Sequence, residues 1–125
     1  MSRPPSEPAR PPAASRPLSA RVQLARLALE SALTVDGVVG SDPGPHGMRV
    51  TVDGGERLPG VTSMARADGT YGLALHLVTR VVPLHPLADR VRSRVARAAS
   101  RAGLAERLGP LDITIEDVVE EGEVG

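Results

Sequence analysis

The sequence predicts one small α+β domain in the order α-β-β-α-β, with a three-stranded mixed sheet and two helices on one face. Three observations support this. The chain has 125 residues, the size of a single domain. Two segments repeat apolar residues with the helical period, and three alternate them with the strand period. The order strand, helix, strand over residues 70–119 favours a right-handed crossover between two parallel strands.

The first 17 residues differ in composition from the rest of the chain. They hold six of the 12 prolines and almost no apolar side chain that folding would bury. Proline also removes backbone hydrogen-bond donors. We therefore predict a disordered, proline- and arginine-rich tail over 1–17, a folded domain over 18–119 and an acidic end over 120–125.

The first helix is predicted from Ser19, a good N-cap residue, to about Leu33. Two apolar stripes run along it. The stripe expected to face the core comprises Leu18, Val22, Ala25, Leu29, Ala32 and Leu33. The second lies roughly opposite and contains Leu24 and Leu27. Either a loop from 54–69 covers this second stripe, or the stripe is exposed and binds a partner or a second copy of the chain.

Strand patterns follow. Met48–Val52 alternates, with Met48, Val50 and Val52 on one face. Residues 54–69 are ambiguous between a long loop and a loop that contains a short strand at Val61–Met64. Thr70–Val82 is the strongest strand pattern and is apolar on both faces, as is typical of a central strand. The last strand, 111–119, has one wet face that carries acidic residues.

The second helix begins at Pro83 and Pro86, because proline is tolerated in a first turn. One clean apolar face runs to Gly103, a residue suited to the position after a helix end. Beside that face, four arginines lie within about 60° of arc: Arg90, Arg94, Arg97 and Arg101. This row is either solvated or paired within the chain, or it binds an acidic protein surface, phosphate or anionic lipid headgroups.

The composition excludes several kinds of chemistry. The chain has no Cys and no Lys, so disulfides, thiol nucleophiles, P-loop lysines and Schiff bases are excluded. Tyr71 is the single aromatic residue and the net charge is zero, which makes nucleic acid an unlikely general partner. Its three histidines are scattered, and no catalytic motif is present. We predict no enzyme activity, no cofactor and no metal site.

Residues 1–17 also lack the apolar core of a secretory signal, and no segment reaches the ~20 apolar residues that span a bilayer. We therefore expect a cytoplasmic protein without direct membrane insertion.

Together, the patterned segments resemble the alkaline shock protein family of bacterial envelope-stress-response proteins over about residues 18–119. The segments that carry the resemblance are A-L-T-V-D-G-V-V-G (32–40), M-R-V-T-V (48–52), L-A-L-H-L-V-T-R-V-V (73–82), P-L-A-D-R-V-R-S-R-V (86–95) and L-D-I-T-I-E-D-V (111–118). The resemblance implies a non-enzymatic cytoplasmic protein that self-associates or is held at the membrane by a small integral membrane partner. The alternative is a small nucleic-acid-binding domain that uses the arginines of the second helix.

Overall fold

A computed structural model describes residues 19–53 and 56–120. Its two helices are α1 (Ala20–Leu33) and α2 (Leu84–Arg101). Its strands are β1 (Val38–Ser41), β2 (Val50–Asp53), β3 (Glu56–Pro59), β4 (Val61–Ala65), β5 (Tyr71–Arg80) and β6 (Leu108–Val119). Short 3-10 turns occupy Pro45–Gly47 and Ala105–Arg107. This confirms the α+β class. The predicted tail over 1–17, Leu18 and residues 121–125 lie outside the described residues.

The central strand β5 organises the main sheet. β6 pairs with it in parallel along one edge, as the strand–helix–strand pattern predicts. On the other edge β1 pairs antiparallel with Leu77–Thr79, and β4 pairs antiparallel with Tyr71–Leu75. β1 and β4 therefore lie end to end. The sheet is mixed and three strands wide, but it contains four strands, which corrects the predicted count of three.

Gly60 occupies the junction between β1 and β4. Its φ of +84° is in the left-handed region, and a Cβ there would lie 2.6 Å from the Cβ of Ser41 and 2.9 Å from the backbone nitrogen of Asp42. The backbone of His76 in β5 bridges the junction, since its N–H donates to the Gly60 carbonyl and its carbonyl accepts from Asp42 N–H. Only glycine fits this close backbone approach.

Both helices pack on the same face of the sheet, where they share one core with β5. Leu75 and Leu77 of β5 are fully buried, as are Leu24 of α1 and Leu87 and Val91 of α2. The other face of the sheet, which we call the uncovered face, presents half-buried residues of β5 such as Ala74 and His76. The predicted arrangement of two helices on one face is therefore confirmed.

The segment predicted as one strand at 48–52 folds differently. β2 pairs with β3 in a separate two-stranded sheet. Its buried residue is Thr51, whose hydroxyl donates to the Val61 carbonyl at 2.9 Å, whereas Val52 and Met48 are exposed. The predicted strand is therefore present from Val50 onward, and the face that Val50 and Val52 share is not the buried one. A satisfied hydroxyl allows a threonine to be buried there.

The ends of both helices follow their predicted signals. Ser19 caps α1, because its hydroxyl accepts a hydrogen bond from the Val22 N–H at 3.3 Å. α2 ends at Arg101, and Gly103 follows with a φ of +75°, the conformation expected after a helix end. Within the described residues, neither helix combines the length and the apolar character that crossing a membrane requires.

Candidate interaction surfaces

The Leu24/Leu27 stripe is not a free surface. Leu24 is fully buried in the core, and Leu27 is half-buried and packs against it. β3 and β4, which belong to the ambiguous segment 54–69, contact α1 and contribute Leu58 and Val61 to the same core. The suggested partner surface at Leu24 is therefore wrong, and the covering alternative is correct. Conversely Leu33, predicted to face the core, is 43% exposed.

A different apolar surface lies at the end of the domain where β5 finishes. Five of the eight large apolar side chains exposed among the described residues belong to it, each at least 40% exposed. We call this group the apolar end: Leu33, Val39, Val81, Leu84 and Val118. Scattered exposed apolar residues are ordinary, but a concentration of them marks contact sites.

Backbone pairing places Val39 and Val118 beside the end of β5, which Val81 follows directly, whereas Leu33 ends α1 and Leu84 begins α2. Val38, next to Val39, pairs with Thr79 on one edge of β5, and Val118 pairs with Thr79 on the other. The Arg80 N–H donates to the Gly37 carbonyl at 2.8 Å, which holds the chain after α1 against the end of β5. Because these elements are distant in sequence, no local pattern could have predicted the group.

The rim of the apolar end carries acidic residues. Asp36 is highly exposed and accepts a hydrogen bond from the Arg80 guanidinium at 2.8 Å. Glu120 is exposed directly after β6. Arg80 pairs with Asp36, so Glu120 is the one of these residues whose charge stays uncompensated, and the guanidinium of Arg94 lies at Thr34, next to Leu33.

The arginine row (Arg90, Arg94, Arg97 and Arg101) is exposed along the flank of α2, beside its buried residues. Arg94 donates to the Thr34 hydroxyl at 2.7 Å, a neutral partner that leaves its charge uncompensated. Arg90, Arg97 and Arg101 have no hydrogen bond or ion pair within the part of the chain that the structure describes. Among the described residues, the arginine row therefore forms none of the internal ion pairs that one of the predicted alternatives requires.

The uncovered face carries one polar cluster that links β2 to the sheet. Glu116 sits at a β-bulge in β6, where the register with β5 shifts. Its Oε2 lies 2.7 Å from Nδ1 of His76 and also accepts a hydrogen bond from Nη1 of Arg49. The charges of Arg49 and Glu116 thus compensate each other. This cluster ties the residue before β2 to β5 and β6, which is a structural role.

A shallow cavity of about 200 Å³ also opens on the uncovered face. Its lining includes Met64, Arg66, Gly72, Ala74, Pro110 and Asp112. It holds one acid and one base but no nucleophile activated by a neighbouring base, the arrangement that covalent catalysis needs. Within residues 19–53 and 56–120 no three His, Cys, Asp or Glu side chains come together to hold a metal. His46 and His85 are exposed and are not part of the cluster around His76.

The fold and its surfaces thus define a small α+β domain with a helix-covered sheet. No protein-family model and no curated protein matches the sequence. Among solved structures, the MamM CTD in a copper form superposes with a TM-score of 0.52 at 14% identity, over 83% of this chain and 91% of that one. A methionine-to-leucine variant of the MamM CTD gives a TM-score of 0.50 at 16% identity, over 79% and 99%.

These similarities establish a shared fold and nothing further, because the identities are low. The chain spans nearly the whole of each matched domain. The resemblance to the alkaline shock protein family stays a prediction, since the matching structures belong to a different protein.

Proposed function

We propose that this chain is a non-enzymatic interaction domain that works in the cytoplasm at the cell envelope, where it binds a membrane-anchored partner. The observation that carries the proposal is the apolar end. Its side chains come from the ends of α1 and β6, the starts of β1 and α2 and the residue directly after β5, all of which border the core. A partner that covered them would remove apolar surface from water, which is the main driving force of protein association.

The rim charge indicates the chemistry of that partner. Glu120 carries an uncompensated negative charge beside these apolar side chains, so a matching segment would be apolar with a basic residue beside it. Cytoplasmic flanks of membrane-spanning helices have this composition, because they are enriched in Lys and Arg. The similarity to the MamM CTD supports the proposal only in that its name describes a domain joined to a longer protein.

The test is affinity purification with crosslinking from the native membrane fraction. We expect an integral membrane protein with a basic cytoplasmic flank to copurify with the wild-type chain, and a Val81→Glu/Leu84→Glu variant to lose at least 90% of it. Val81 and Leu84 are exposed, so both changes leave the core intact. Met48→Glu is the matched control, since Met48 is 75% exposed away from the apolar end.

Two results would overturn the proposal. One is equal recovery of the membrane protein by the wild type and the Val81→Glu/Leu84→Glu variant, with both variants folded by circular dichroism. The other is capture of proteins that all lack a membrane-spanning segment.

A further inference from the structure

We propose that copies of this chain stack face to back, with the arginine row of one copy on the acidic uncovered face of the next. This goes beyond the proposed function, because its occupant is a second copy of the chain and its surfaces are separate from the apolar end. Its basis is the placement of uncompensated charge on the two faces of a chain whose net charge is zero.

The positive side of the contact is the arginine row on the helix side of the domain. Several other arginines of the described fold are compensated: Arg49 by Glu116, Arg66 by Asp68, Arg80 by Asp36 and Arg92 by Asp89. The arginine row has no acidic partner of this kind among the described residues. Four arginines without an acidic partner among the described residues thus lie in one row on the flank of α2, whereas Arg21 of α1 stands apart from it.

The negative side is carried by Asp112 and Asp117 of β6. Both are exposed, and they pair in register with Ala74 and Val78 of β5, which places them on the uncovered face. Neither forms an ion pair within the described residues. Arg66 lines the same cavity as Asp112, but its ion pair is with Asp68 at 3.8 Å.

The two charged sets match in length. Arg90 to Arg101 spans about 16 Å at the helical rise of ~1.5 Å per residue. Asp112 to Asp117 spans about 16 Å at the strand rise of ~3.3 Å per residue. Because they lie on opposite sides of one sheet, the two sets of a single copy cannot meet each other. They can meet only between copies, and such head-to-tail contacts build closed rings or open stacks, according to the rotation between successive copies.

Sedimentation velocity of the full chain at low salt tests this inference. We expect the wild type to form concentration-dependent oligomers in about 20 mM salt and to dissociate in about 500 mM salt, since exposed ion pairs are screened. Arg97→Glu should weaken association about tenfold. Arg57→Glu is the matched control, because it makes the same charge change at an exposed site on β3 and should leave association unchanged.

A charge swap makes the test specific. The variants Arg97→Glu/Arg101→Glu and Asp112→Arg/Asp117→Arg should each be monomeric, because the substituted positions then meet side chains of like charge across the contact. An equimolar mixture should form stacks again, since each reversed face then meets an opposite one. A mixture that stays monomeric overturns the inference.

The inference is also overturned if the wild type stays monomeric at low salt and binds another ligand through Arg97 and Arg101. That ligand would be RNA in one outcome and vesicles with anionic lipid in the other. The experiments also separate this inference from the proposed function. Val81→Glu/Leu84→Glu should keep salt-dependent stacking while it loses the membrane partner, and Arg97→Glu/Arg101→Glu should do the reverse.

Discussion

The two helices occupy different environments although both pack on the same sheet. α1 contacts α2 and all of the first five strands, and its buried residues include members of both apolar stripes, such as Leu24 and Leu29. α2 buries one line of side chains, Leu87, Val91, Val95 and Ala99, and exposes its arginines. The comparison shows that two opposite apolar stripes on a helix can indicate burial between two layers. A charged flank beside a single stripe indicates a surface helix.

The largest expected effect on stability comes from Leu24→Ala. Removing a fully buried leucine leaves a cavity and should lower the free energy of unfolding by about 2–5 kcal/mol. Chemical denaturation measures this change. Leu84→Ala at the exposed start of α2 is the control and should cost about 1 kcal/mol or less. Equal losses in the two variants would contradict the assignment of Leu24 to the core.

A smaller effect is expected at the cap of α1. Ser19→Ala removes the side-chain acceptor of the Val22 N–H and should lower the free energy of unfolding by about 1 kcal/mol. The control is Ser93→Ala, the same change at an exposed position inside α2, where alanine is the better helix former. Thermal melts that showed the same loss for both would exclude a capping role for Ser19.

The smallest effect is expected on the surface of α2. Arg97→Gln/Arg101→Gln should change the free energy of unfolding by less than about 0.5 kcal/mol, because neither side chain has a partner within the described fold. Arg94→Gln should lower the free energy of unfolding by up to about 1 kcal/mol more, since Arg94 donates a hydrogen bond to Thr34 at the end of α1. A large loss in the double variant would mean that these arginines stabilise the fold rather than bind a partner.

Elements with strong local signals were predicted well. The Ser19 cap, Pro83 before α2 and Pro86 in its first turn, and the glycine after α2 define helix ends through local side-chain and backbone geometry, and the structure confirms them. The ten-residue strand β5 was also evident from its apolar alternation. β1 and β3 have only four residues each, too few for alternation to identify, and they depend on the neighbours with which they pair.

The candidate surfaces were predicted only in part. Helical spacing predicted the arginine row, and its four side chains are exposed, as the partner-binding alternative requires. The prediction of an exposed surface at Leu24 was wrong, because segments that are distant in sequence decide what covers a helix. Here those segments are β3 and β4. The apolar end had no local signal at all.

The sequence by itself determined the α+β class, the helices, the central strand and the exclusion of thiol and lysine chemistry. These depend on composition and on interactions between residues a few positions apart. The tertiary structure alone decided which apolar residues are buried and which gather at one end of the domain. It also decided that the uncompensated arginines and aspartates lie on opposite faces. Such properties arise from the packing of distant segments, whose pairing no local period encodes.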